Sequence, residues 1–68
     1  MKVGGTKYCH KEGNMLKIKK ENYFDTVQKY SYVGYVVELF VNGICKQRVF
    51  SRTYPVKLID EFYTFGKI

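Results

Sequence analysis

The sequence predicts an α+β domain: an antiparallel sheet of three or four strands with one C-terminal helix packed on one face. Three observations predict it. Asn42-Gly43 separates two runs of strand-forming residues, a segment opened by Pro55 carries apolar residues at helical spacing, and an upstream stretch alternates apolar with basic residues.

The hairpin is the strongest of the three. Tyr32 to Val41 is rich in Val, Tyr and Phe, and Ile44 to Arg52 follows after an Asn-Gly pair, the dipeptide that most readily adopts the left-handed conformation a tight hairpin requires. Two registers are compatible with it. A two-residue turn pairs Val41 with Ile44 and sets Leu39 against Lys46, which mixes charge into the apolar face. A three-residue loop closed by Gly43 pairs Phe40 with Ile44 and Leu39 with Cys45. The second sorts the chemistry better and is the expected register. It gathers Val33, Tyr35, Val37, Leu39, Cys45 and Val49 on one face and places Glu38 opposite Lys46 on the other.

After the hairpin, Pro55 suits the first turn of a helix, and Val56, Ile59, Phe62 and Tyr63 then recur at helical spacing up to a natural stop at Gly66. The expected helix covers about residues 55 to 65, and its apolar stripe needs the apolar face of the hairpin to cover it. Val37, Leu39, Val49, Ile59 and Phe62 are the expected core. Upstream, Met15 to Lys20 reads as a half-exposed strand. Residues 22 to 31 fit a helical turn (Tyr23, Val27, Tyr30) or a strand (Phe24, Thr26, Gln28, Tyr30), and both readings stay open. Residues 1 to 13 are expected as a flexible arm or an edge strand, the strand reading covering about residues 3 to 9.

Sixty-eight residues allow one domain, residues 1–68, with a thin core that seven Tyr and five Phe help to fill. Twelve basic residues against six acidic ones leave a formal charge of +6, a balance that favours polyanions or acidic protein surfaces as partners. The Lys-rich, Tyr-rich usage suits an AT-rich genome, such as that of a low-GC bacterium, its phage or a mobile element. No segment has the apolar length of a signal peptide or of a membrane span, about 18 residues, so a cytoplasmic protein without membrane contact is expected. Cys9 and Cys45 are expected to be reduced and structural. No cofactor, metal or catalytic site is expected. Cys9, His10 and Cys45 lack zinc-site spacing, adjacent Cys9 and His10 point to opposite faces of a strand, Gly4-Gly5-Thr6-Lys7 lacks the context of a phosphate loop, and Asp60-Glu61 reads as a solvated helix face.

The candidate site is the period-2 series Lys46, Arg48, Phe50, Arg52, whose side chains share one face of a strand in either register. If the helix covers the other face, this one is open. The expected register adds Tyr32, Val36 and Phe40 to it, with Lys17 and Lys19 from a neighbouring strand. Basic groups interleaved with aromatics on an open sheet supply phosphate contacts and flat surfaces for bases, so nucleic acid, DNA foremost, is the first expected partner. An ordinary solvated sheet face is the plainer alternative. An inhibitor or adaptor docking on an acidic patch of a host protein is the rival function, and an exposed face or free edge strand also allows a homodimer.

Residues 32–65, a strand, an NG turn, a second strand and a helix opening at TYPVKLIDEF, resemble the arm-type DNA-binding domains, three-stranded sheet plus helix, at the N-termini of some phage and transposon integrases. The resemblance is one of pattern over half the chain. It implies a sheet face that enters the major groove, with that role falling to Lys46, Arg48 and Arg52. The N-terminal third has no counterpart in that family, and none of these 68 residues is expected to correspond to the catalytic domain that follows in integrases.

Overall fold

Each strand is joined to the next by a hairpin, so the sheet order follows the chain. In the computed structural model, which describes residues 1–68, the elements are β1 (Thr6–Lys11), β2 (Asn14–Asp25), β3 (Tyr30–Val41), β4 (Ile44–Ser51) and α1 (Val56–Phe65). All pairings are antiparallel and the sheet order is β1-β2-β3-β4. This is the expected α+β architecture with the higher of the two strand counts.

Two of the turns share one chemistry. Glu12 and Gly13 (φ 49° and 84°) and Asn42 and Gly43 (φ 53° and 79°) both place two successive residues in the left-handed region, the geometry whose twist matches that of the flanking strands. The middle turn is built differently. The Asp25 carboxylate oxygen Oδ1 accepts the backbone N–H groups of Val27 and Gln28 at 2.9 and 3.0 Å, and Lys29, at φ 57°, leads into β3. Residues 22 to 31 thus divide into the end of β2, a four-residue turn and the start of β3; the helical alternative is excluded. The N-terminal segment is an edge strand rather than an arm, shifted to Thr6–Lys11.

Neither of the two registers compatible with the sequence is adopted throughout the β3–β4 hairpin. At the tip Val41 pairs with Ile44 and Phe40 with Cys45, as a two-residue turn demands. Beyond a bulge the pairs become Leu39 with Gln47, Glu38 with Arg48, and Val37 with Val49. Lys46 is the extra residue, so Glu38 lies opposite Arg48 and not Lys46, and Cys45 is exposed on the Phe40 side instead of joining the apolar face. A bulge inserts one residue and so restores the alternation of faces that the tight turn would have inverted. From Arg48 and Val49 onward each side chain therefore lies on the face the expected register gave it, by a route that sequence patterning did not anticipate.

One face of the sheet carries the core. Cys9, Leu16, Ile18, Val37 and Leu39 are buried there beneath Phe62 of α1, and Tyr35, Val41, Val49, Leu58, Ile59 and Ile68 pack around them. The helix stripe differs from the expected one: Leu58, Ile59 and Phe62 face the sheet, whereas Val56 and Tyr63 are exposed. Pro55 precedes the helix as its cap residue and its carbonyl accepts the Ile59 N–H at 3.1 Å. At the other end Gly66, at φ 73°, returns its N–H to the Phe62 carbonyl at 2.7 Å. The last turn contains no basic residue of its own. Lys11 of β1 fills that role, its ammonium donating to the Tyr63 and Thr64 carbonyls, and Asn14 donates to the Gly66 carbonyl at 3.0 Å. The negative end of the helix dipole is thereby tied to the β1–β2 hairpin.

β2 and β3 outrun their neighbours. Pairing with β1 ends at Thr6–Lys19 and with β4 at Tyr35–Ser51, so residues 21–34 project as a two-stranded ribbon and the molecule measures 42 × 21 × 18 Å. No helix is long and apolar enough to cross a membrane.

Candidate binding face of the sheet

The face opposite α1 is covered by no other element, and cross-strand pairing arranges it in rows. Lys17, Glu38 and Arg48 form one row and Lys19, Val36 and Phe50 the next; Glu21 with Gly34, then Tyr23 with Tyr32, continue it onto the ribbon.

Aromatic rings build the ribbon end of this face. Tyr23 stacks on Tyr32 with centroids 5.6 Å apart and meets Phe50 edge-on at 5.2 Å, and Tyr30 lies 5.8 Å beyond Tyr32. Residue 34 is glycine for a steric reason: a Cβ there would lie 2.5 Å from two atoms of the Phe50 ring, which fills the space a side chain would take. Arg52 lies past the end of β4, yet its guanidinium sits 4.3 Å from the Tyr32 centroid, on the same aromatic cluster. Such a contact leaves the guanidinium edge free to donate while the ring holds its plane in place.

The charges are partly self-compensated. Arg48 donates from Nη2 and Nε to the Glu38 carboxylate at 3.0 and 3.3 Å, which raises the guanidinium pKa further, and Lys19 pairs with Glu21 at 3.1 Å. Hydrogen bonds from Lys19 and then Tyr23 hold the Glu21 carboxyl below the usual range, while burial and then that same carboxylate push the Tyr23 phenol up. Lys17, Lys46 and Arg52 form no ion pair. In the middle of the face lies an open depression of about 470 Å³, lined by Lys17, Lys19, Tyr23, Val36, Glu38 and Phe50 among others.

Of the eight residues the sequence offered, Lys17, Lys19, Arg48 and Phe50 converge on this depression, and Tyr32 with Arg52 flank it at the ribbon end. Phe40 and Lys46 do not join them. Phe40 pairs with Met15 and Cys45 near the Asn42-Gly43 turn, and Lys46 has no cross-strand partner, so the period-2 series effectively starts at Arg48. Sequence reasoning missed Glu21 and Tyr23, and placed Glu38 on this face but opposite Lys46 rather than Arg48. The signal for the first two was present, because Lys17, Lys19, Glu21 and Tyr23 continue one alternation beyond the point where the strand was expected to stop. Cys9 is buried in the core while Cys45 is exposed, and no three His, Cys, Asp or Glu side chains gather as metal ligands would.

No family model, curated protein or solved structure matches the chain.

Proposed function

We propose that the open sheet face binds nucleic acid, with DNA as the natural first probe. The observation that carries this reading is the Arg52 guanidinium over the Tyr32 ring of the Tyr23–Tyr32–Phe50 cluster, with the unpaired Lys17 ammonium three cross-strand rows further along the same uncovered face. Cations without carboxylate partners are free to take phosphates, and rings fixed at their side offer surfaces for sugars or bases. Arg48 contributes less than its position suggests, because the Glu38 carboxylate offsets its charge and already takes up Nε and Nη2.

Fluorescence anisotropy with labelled DNA at two salt concentrations tests the reading. Micromolar or tighter binding is expected at about 50 mM salt, weakening tenfold or more at about 200 mM as counterions released by each neutralised phosphate become easier to restore. The Lys17→Ala/Arg52→Ala double variant should lose about tenfold in affinity and flatten the salt dependence, and Arg48→Ala should lose less. Failure to bind at low salt would sink the proposal and leave an acidic protein surface as the partner to seek.

A further inference from the structure

The central depression has features that a duplex would not use. We infer that it receives a single unpaired base carrying an exocyclic amino group, cytosine being the clearest case, so that the proposed nucleic-acid ligand is single-stranded; this rests on the reading above. Its volume, about 470 Å³, falls among sites that take one small molecule. Phe50 and Tyr23 form an aromatic wall, Phe50 stays 47% exposed, and Val36 is its paired neighbour across the β3–β4 ladder. Bases in a duplex are already stacked on one another and show only their edges, whereas a splayed single strand can lay a base against such a ring.

Glu38 supplies the selectivity. Its side chain is only 15% exposed, and the groups that donate to it, Arg48 Nε and Nη2 and the Cys45 thiol, all engage Oε2, which leaves Oε1 without a donor. A carboxylate accepts, and the other carboxylate lining the depression, Glu21, is already engaged by Lys19 and Tyr23, which leaves Glu38 Oε1 as its free acceptor among donors suited to phosphate. Cytosine brings an N4 amino group to such an oxygen; thymine brings its O4 carbonyl, which the carboxylate repels. Lys17, which lines the same depression from the adjoining strand and forms no ion pair, is the cation for a phosphate flanking that base.

Anisotropy titrations of the full chain with labelled oligo-dC, oligo-dT and a mixed-sequence duplex test the inference. Oligo-dC should bind at least about fivefold more tightly than oligo-dT, and both more tightly than the duplex. Glu38→Met removes the acceptor and also releases Arg48. It should therefore abolish the preference while raising affinity for both strands, a pair of changes that a merely structural role for Glu38 would not produce. Phe50→Leu should weaken both strands about fivefold or more. Equal binding of the two strands, tighter binding of the duplex, or a preference that survives Glu38→Met would each overturn the base-binding depression while leaving the nucleic-acid reading intact. Absence of binding to all three probes would overturn both.

Discussion

On the helix side of the sheet, Leu16, Ile18, Val37 and Leu39 are buried beneath a single ring, Phe62; on the opposite side, Tyr23, Tyr32 and Phe50 lean on one another and keep part of their surface in water. The first face joins two layers, so losing any central group opens a gap between them. The second is held laterally, by ring against ring and guanidinium against ring, and nothing above it depends on it. Stability and the proposed binding thus fall on different faces of the same strands.

The sharpest way to break the comparison is Phe62→Ala. Removing a fully buried ring is expected to cost about 3 to 5 kcal/mol, a large share of the stability available to a domain of this size, and the thermal unfolding transition should fall steeply or vanish. A variant that melts like the parent would show that the helix is not what closes the core. Gly34→Ala acts on the other face. Its methyl group must push the Phe50 ring aside, but that ring is half-exposed and can swing, so a cost of about 1 kcal/mol is expected together with a clear loss of nucleic-acid affinity. Unchanged affinity would detach Phe50 from the site. Smallest is Lys11→Met, which keeps the alkyl stem and removes the charge from the helix C-terminus. About 0.3 to 1 kcal/mol should be lost in chemical denaturation, with binding unaltered and the loss shrinking as salt is raised.

How far each face was legible in the sequence follows from the same contrast. Alternation of apolar residues marks what must be buried, so Val37, Leu39, Phe62 and the helix over residues 56–65 could be read without a structure. Lys46 could not. A bulge responds to twist and local backbone geometry, and no residue type at Cys45 or Lys46 announces it. The Glu12-Gly13 turn was hidden for a related reason: Glu in the left-handed region is uncommon, and only the pairing of Lys11 with Asn14 makes that turn obligatory. On the open face, single residues were found but their partners were not. A carboxylate looks solvated in sequence, and only the register brings Glu38 to Arg48 and Glu21 to Lys19.

The bulge at Lys46 also bears on how the protein behaves at high concentration. β4 is an edge strand, and a regular edge exposes a row of unpaired backbone groups on which another chain can extend the sheet. An extra residue partway along it breaks the spacing of those groups and increases the local twist, and Lys46 and Arg48 add like charges that an incoming copy of β4 would have to bring close to its own. At the far edge, β1 has six residues, three of them Lys7, His10 and Lys11. Each border of the sheet is thus a poor template for edge-to-edge extension by another strand, on a small chain whose open face keeps aromatics exposed.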